Sequence, residues 1–563
     1  MKKIIPVLVA VVLIVVVAVI GVGARLIEKY SYSDERADLA EYFDVRGEGD
    51  VPIIMQEERI EEHAKLIDGV CYFDLATVHK YFNDRFYEDK KEGFLIYTLP
   101  DAIVSTLIGS DSVSLGGDGS TRDYTIARYE GETLYVAADF VKEYSNFSYT
   151  LYTDPYRMQV YTVWDAYQAA PILKDTQVRY QGGVKSAILT DVAAGTEVAV
   201  LEEMENWSKV KTEDGFVGYV ENKRLGEQTT VEPTPVTDYV EPVYESNTRD
   251  HKINLAWHVV ASVGGNDTLI SLMEGTKSVN VISPTWFALS DNSGNFTSFA
   301  SKNYVDTAHD MGLEVWGLID NFSNADIDTY EVLAGLTTRQ HLIDGLIETA
   351  LQYGLDGINI DFENISLDAG EPFIEFIREL SIPCRQHGIV LSVDNYVPMG
   401  YTDHYDRREQ GIVADYVIIM GYDEHHKNSE TTGSVASIDF VENGIADTVA
   451  QVPANKVINA IPLYTRIWET KGTTIESQAV GIGTAKEYLA AHGITTAWDE
   501  TTCQNYGEYQ SGDSYYQVWM EDEESIRVKL NIMSKYGIAG VAEWQLAFGD
   551  SAVWDVIEEY MNQ

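Results

Sequence analysis

The chain has 563 residues, more than one hydrophobic core ordinarily organises, so several domains are expected. Its 89 Asp and Glu outweigh 40 Lys and Arg to give a net charge of −49, which speaks against a nucleic-acid partner and for a strongly solvated surface. Cys71, Cys384 and Cys503 are too few and too far apart for a disulfide framework or a metal-ligand spacing, and each is expected to behave as a small buried hydrophobe.

Met1-Lys2-Lys3 precedes an uncharged apolar run from Ile4 to Ala24 that Arg25 closes. About 20 such residues cross a bilayer as a helix, whereas the apolar core of a cleaved signal needs only roughly 7–15. Residues 1–25 are therefore read as an uncleaved single-pass anchor at the cell membrane. The Lys pair stays cytoplasmic and everything after Arg25 lies outside. The alternative is a secreted chain, cut after Val22-Gly23-Ala24.

Residues 26–172 are acidic and Tyr-rich, and "YTIARYEGETLYVAADFVKEY" followed by "SYTLYTDPYRMQVYT" reads as strand, turn, helix and paired strands. "ETLYVAADFVKEY" resembles the repeat named after the copper amine oxidase N-terminal domain, a small α+β module, although nothing here supplies copper ligands. Residues 173–227 switch to short β-branched runs separated by Gly and Asp turns, as in a small all-β barrel. "GTEVAVL" and "NWSKVKTEDGFVGYV" within them resemble a bacterial SH3-type domain, which implies contact with the cell wall. Trp207 is open between a ligand contact and a barrel aromatic. Three Pro and several Thr and Glu at 228–247 mark an extended linker.

From 248 to 563 short apolar strands alternate with amphipathic helices. The strands are "INLAWHVV", "VNVIS", "LEVWGLI", "GINIDFE", "IVLSVDN", "DYVIIMGY", "KVINAIPLY" and "IAGVAEWQ". "TTRQHLIDGLIETALQY" and "EPFIEFIRELSIPCRQH" are helical stretches between them. Eight strand-helix units over about 300 residues fit an α/β fold of the (β/α)8, or TIM-barrel, type. A doubly wound sheet is the alternative, but no Gly-rich phosphate loop follows the first strand.

The strand "DGINIDFE", residues 356–363, carries three acids among residues suited to a buried strand. Alternate strand residues share a face, so Gly357, Asn359, Asp361 and Glu363 point to the barrel axis and Ile358, Ile360 and Phe362 to the helices. Glu363 falls at the C-terminal end, where such barrels place chemistry. Asp361 and Glu363 are about 6–7 Å apart by strand rise, and two carboxyls that close in a poorly solvated pocket resist ionising together. One is therefore expected to hold a proton and to serve as a general acid. Pairing with basic residues or a divalent cation is the competing reading, but few basic residues occur in the other strands.

"DGINIDFE" resembles the DxxDxDxE signature of glycoside hydrolase family 18, the chitinase-like family, with Asn359 at a position that is often Asp. The resemblance extends to "MGYD" from Met420, to "IPLYTRIW" from Ile461, to "GVAEWQL" around Trp544, and to "VWMEDEESIRVKL", which is similar to the spore-cortex and cell-wall N-acetylglucosaminidase branch. It implies substrate-assisted catalysis, in which the substrate's own 2-acetamido oxygen attacks the anomeric carbon, an exception to the two-carboxylate scheme. Glu363 is then the acid and base, Asp361 orients the acetamido N–H, and Tyr422 donates to the acetamido oxygen.

Asp356, Asn359, Met420, Asp423, Trp544, Arg466 and Trp257 are the expected substrate-binding and supporting residues. Trp544 is the floor of the reactive subsite. Trp257, Trp286 and Trp468 are open between substrate contact and core packing. Arg466 holds a sugar hydroxyl, Asp423 or a structural ion pair, and residues 469–520 are expected to wall the cleft. His425 and His426 lack a third ligand at metal spacing, so a solvated loop is expected, and neither a metal nor a cofactor is implied.

The reading is a retaining glycosidase that cleaves β-linked N-acetylglucosamine polymers, peptidoglycan ahead of chitin-type oligomers, at the outer cell surface. Its partners are the glycan, the wall through the SH3-like domain and the membrane through the first helix. The alternatives are an inactive, lectin-like carbohydrate-binding barrel, and a chain whose N-terminal half carries the role as a protein-interaction module.

Overall fold

The computed structural model describes residues 4–563, so the expected cytoplasmic placement of Lys2 and Lys3 lies outside the described residues. Ile4–Tyr30 is one helix, long and apolar enough to cross a bilayer, a property that signal sequences share. The chain forms two compact units, both discontinuous in sequence: one comprises residues up to 86, 108–112 and 121–241, the other 87–107, 113–120 and 242–563.

The first unit contains two seven-stranded sheets. One carries the helices Leu75–Tyr81 and Ala138–Glu143, the latter within the stretch read as strand, turn and helix. The other contains Thr176–Arg179, Ile188–Val192, Glu197–Glu203, Trp207–Lys211 and Val217–Glu221, the short strands expected from its turn spacing. Val178, Leu189, Val198, Val210 and Val220 fill its core, and Phe43 and Ile54 from earlier in the chain complete it. Arg157 covers this core, its guanidinium carbon 4.6 Å from the Phe216 ring centre and a guanidinium nitrogen 2.8 Å from an Asp214 oxygen.

The second unit is built on eight parallel strands: β1 (Ile253–His258), β2 (Val281–Leu289), β3 (Glu314–Asp320), β4 (Gly357–Asp361), β5 (Val390–Tyr396), β6 (Tyr416–Met420), β7 (Val457–Pro462) and β8 (Gly540–Trp544). Each pairs with its neighbours and β8 closes on β1, so the sheet is a barrel. The helices that follow the strands are α1 (Leu269–Met273), α2 (Lys302–Asp310), α3 (Leu336–Tyr353), α4 (Gly370–His387), α5 (Arg407–Val413), α6 (Ile438–Val449), α7 (Glu523–Tyr536) and α8 (Ser551–Met561).

Alternation of side chains sorts the strand residues into two layers. Leu255, Trp257, Trp316, Leu318, Tyr416, Ile418 and Ala542 fill the barrel axis. Ile358, Ile360 and Phe362 pack outward against α4, where the Phe362 and Phe376 rings stack with centres 5.7 Å apart. Gly357 has a steric reason: a Cβ there would stand 2.6 Å from the Trp316 indole.

Two features depart from a plain barrel. Between β7 and α7 an antiparallel sheet with its own helix, Ile482–Ala491, is inserted, running from Tyr464–Lys471 to Ser514–Met520. The short strands Tyr87–Asp89, Phe94–Thr98 and Ile103–Leu107, which the sequence places within 26–172, belong to the barrel unit. Tyr87 donates to the Ala334 carbonyl at 2.8 Å, the Leu336 N–H donates to Asp89 at 2.7 Å, and Thr98 donates to Glu375 at 2.5 Å.

That cover buries α4 on its outer side as well as its inner one, which a simple amphipathic reading does not anticipate. Its charges survive burial by mutual pairing. Arg339 donates two bonds to Glu379, at 2.7 and 3.0 Å, and Arg378 bridges Glu375 and Glu409 at 3.1 and 2.8 Å.

Candidate active site

Three neighbouring strands bring carboxyls to the C-terminal end of the barrel, the end at which such barrels carry their chemistry. Asp320 on β3 is the register partner of Asp361 on β4. Asn359 and Ile360 pair with Ser392 and Val393 on β5, so one step further along the same register puts Asp394 beside Asp361 on its other side. Glu363 follows one pleat above. Asp320, Asp361 and Asp394 are all buried, and Glu363 is partly buried.

Each acid has a different set of donors. Asp320 accepts from the Phe322 and Ser323 N–H groups and from the Ser323 hydroxyl. Glu363 accepts from the Tyr396 hydroxyl through Oε2 at 2.6 Å. Its backbone is clamped by Asn321, which accepts from the Glu363 N–H at 2.8 Å and donates to its carbonyl at 2.9 Å. Oδ1 of Asp361 is buried with no hydrogen-bond partner among the described residues. Burial holds the Asp361 carboxyl well above the usual carboxylate range, with Asp394, Glu363 and Asp320 pushing the same way. Burial also raises Glu363, and Asp423 and Asp320 add to it, while the Tyr396 bond works in the opposite direction. Asp394 is raised by burial and by Glu363 against a bond from Asn359.

Tyr422, just past β6, packs against the axial core, and its hydroxyl is raised well above the ordinary phenol range by burial and by Asp361. Asp423 has a left-handed φ of 59°, a conformation costly for a residue with a Cβ. Tyr464 holds it there by donating to its Oδ1 at 2.5 Å, and Arg466 lies 3.5 Å from the same oxygen. Both come from the first strand of the insertion, Tyr464–Lys471, just before the 469–520 stretch expected to wall the cleft. Met420 ends β6 as the register partner of Tyr396. Trp544 ends β8, half-buried, with its ring centre 6.0 Å from that of Trp257.

Five of the residues named from the sequence lie away from the acids' open end or in the core. Asp356 precedes β4 and therefore sits at the opposite end of the strand from Glu363. It accepts from the Val315 N–H at 2.8 Å and pairs with His309 at 2.8 Å, so it ties strand to helix instead of meeting substrate. Trp257 is buried and its indole N–H donates to Asn359 at 2.9 Å, which makes it packing beneath the cleft. Trp286 and Trp468 are likewise buried, donating to Asn266 and to the Gly433 carbonyl. Asn359 is wholly buried and bonded to neighbouring strands, so it supports the acids from below without reaching a ligand.

Asp394, Tyr396, Asn321 and Tyr464 were not anticipated. "LSVDNYVP" does carry polar residues at alternate positions 392, 394 and 396, the same face-wise signal that marks "DGINIDFE", although Asn395 on the other face interrupts the alternation.

Residues 287–549 match the family described as Glycosyl hydrolases family 18, and residues 174–226 match Bacterial SH3 domain. The chain carries a family 18 glycosyl hydrolase domain. It is 30% identical over 246 residues to YdhD of Bacillus subtilis, named as a sporulation-specific glycosylase, covering 41% of this chain and 57% of that protein. Over 235 residues it is 23% identical to the cortical fragment-lytic enzyme of Bacillus subtilis, covering 40% of this chain and 54% of that enzyme. The chain thus spans little more than half the length of these relatives. The fold of the family 18 domain is shared with the spore cortex-lytic enzyme SleL of Bacillus cereus, at a TM-score of 0.51 and 21% identity, covering 60% of this chain and 77% of that one. A chitinase of Chromobacterium violaceum is similar at a TM-score of 0.50 and 22% identity, covering 55% of this chain and 99% of that one.

Proposed function

We propose that this chain is a retaining glycoside hydrolase that cleaves β-linked N-acetylglucosamine polymers, peptidoglycan ahead of chitin-type oligomers, outside the cell membrane. The observation that carries the reading is the pairing of a raised, Tyr396-bound Glu363 with a buried Asp361 whose Oδ1 lacks a donor. A 2-acetamido group supplies what each needs: an N–H for Asp361 and a carbonyl oxygen that replaces a protein nucleophile.

In the first step Glu363 gives its proton to the glycosidic oxygen while the acetamido carbonyl oxygen bonds to the anomeric carbon and the C–O bond to the leaving sugar breaks. Asp361 accepts the acetamido N–H and opposes the positive charge that develops on the ring it forms. Tyr422, whose hydroxyl has no side-chain partner among the described residues, donates to the acetamido oxygen. In the second step the ionised Glu363 takes a proton from water, which attacks the anomeric carbon and reopens the ring with net retention. Trp544 offers a flat apolar face to the sugar.

Peptidoglycan is preferred because an apolar N-terminal helix and a bacterial SH3 domain accompany the barrel, and because relatives include one named as a cortical fragment-lytic enzyme. The test compares the full chain with Glu363→Gln on N-acetylglucosamine oligomers and on peptidoglycan. A loss of about 10²–10⁴-fold is expected from removing the acid. Equal turnover by both proteins defeats the assignment, and binding without turnover by either favours a lectin-like barrel.

A further inference from the structure

The amide at position 359 raises a physical question, because an amide neither holds nor trades a proton with the neighbouring Asp361. Its four hydrogen-bonding positions are all assigned. Nδ2 donates to Asp394 Oδ1 at 2.8 Å and to Ser392 Oγ at 3.0 Å, both on β5. Oδ1 accepts from the Trp257 indole at 2.9 Å and the Ser283 hydroxyl at 3.2 Å, on β1 and β2. The side chain is thereby fixed, with its donors toward β5, and it can neither flip nor reach a ligand.

What it holds is a second buried acid. Asp394 is 2% exposed, and Asn359 is its only hydrogen-bond donor among the described residues. The parallel register that pairs Ile360 with Val393 puts Asp394 next to Asp361, across an interstrand spacing of about 4.8 Å, with both side chains facing the axis. The charged and titratable groups facing this pair are Asp320 from β3, Glu363 beyond β4, Tyr396 on β5, Tyr405 before α5, and Tyr422 and Asp423 beyond β6. No cation among the described residues bonds to either acid, and Arg466 is engaged with Asp423.

Resting on the glycosidase reading above, we propose that Asp394 is the carboxyl partner of Asp361, sharing one proton with it, and that Asn359 is the fixed amide that positions it. Two buried carboxyls side by side bear one charge between them, and their titration belongs to the pair. When a substrate N–H arrives at Asp361, the shared proton settles on an Asp394 oxygen and the negative charge on Asp361, where it opposes the cationic intermediate. The proton returns as product leaves, so no co-reactant is required. Asp394 touches no substrate and acts as a positioning residue through Asp361.

The test uses the full chain, Asp394→Asn and the exchanged pair Asn359→Asp with Asp394→Asn, on N-acetylglucosamine oligomers across pH. Asp394→Asn is expected to lower kcat at least about tenfold with little change in KM. It should also move the acidic limb of kcat/KM down by about one pH unit, because Asp361 loses the acid beside it. The exchanged pair restores a carboxyl next to Asp361 and should recover most of the rate and the limb. An unmoved limb in Asp394→Asn overturns the proposal. So does an exchanged pair no better than the single variant, which would make the role merely structural.

A readout independent of turnover is the infrared band of protonated carboxyls at pH 7. It should weaken by one group in Asp394→Asn and return in the exchanged pair, and an unchanged band overturns the shared proton. If the native chain turns over no substrate, the glycosidase reading fails while this band still decides the proton's place.

Discussion

The Tyr396 hydroxyl donates a 2.6 Å hydrogen bond to Oε2 of Glu363, so the acid at the end of β4 is aimed by a residue at the end of β5. One carboxyl oxygen is engaged, and in the proposed reaction the other carries the proton given to the glycosidic oxygen. The bond also opposes the upward pull of burial on Glu363. Tyr396→Phe should therefore raise the Glu363 pKa further, since a bond to the ionised form favours that form. The basic limb of the kcat profile should move to higher pH, and kcat should fall about tenfold as the acid loses its fixed orientation. A pH–rate series on the variant checks both.

Asp423 stands in left-handed backbone with Tyr464 and Arg466 holding its carboxylate. Removing the Tyr464 hydroxyl frees this corner of the cleft without touching Glu363. Tyr464→Phe is expected to raise KM several-fold, about 3–10-fold, with a smaller effect on kcat, measured on a defined oligomer.

His258 is buried between the Tyr304 hydroxyl, at 2.8 Å, and the Thr268 hydroxyl, at 2.9 Å, and burial pushes it down to about 4. The unfolded chain binds a proton here below about pH 6.5 whereas the folded chain does not until about pH 4. Stability from this site is therefore intact above pH 6.5 and is lost as pH falls toward 4, by up to about 3 kcal/mol. Denaturant unfolding of the native chain and of His258→Gln should give curves that converge with acid, the variant showing the shallower pH dependence.

Glu543 on the outer face of β8 has the opposite sign. It is fully buried, both carboxyl oxygens lack partners among the described residues, and burial raises it well above the usual range. The folded chain keeps this proton where the unfolded chain has lost it, so stability falls as pH rises above about 4.3. Glu543→Met should remove that slope and raise the melting temperature at pH 7.5 by about 2–4 °C, read by thermal unfolding.

The eight barrel strands were legible because each is a short apolar run bounded by helical stretches, and the faces of "DGINIDFE" followed from alternation alone. Asp394 and Tyr396 escaped because their meaning lies in register: nothing local in "LSVDNYVP" says that it stands beside Asp361 and Glu363. Strand rise alone is enough to set Asp356 aside. Five residues put it about 16 Å from Asp361, at the wrong end of β4 for chemistry. Trp257 reads like any aromatic at a strand end, and only the buried bond to Asn359 shows which way it faces. The strands from Tyr87 to Leu107 join the barrel unit through contacts with α3 and α4 separated by more than 200 residues, which no local pattern reports.

Proton NMR of the first products released from an N-acetylglucosamine oligomer tests the central claim most directly, because the anomeric configuration at the new reducing end records how the bond was broken. Attack by the substrate's own acetamido oxygen from the far face, followed by water from the face the leaving sugar vacated, predicts β product that later mutarotates. Initial release of the α anomer would mean direct attack by water, and would contradict the roles assigned to Glu363 and Asp361.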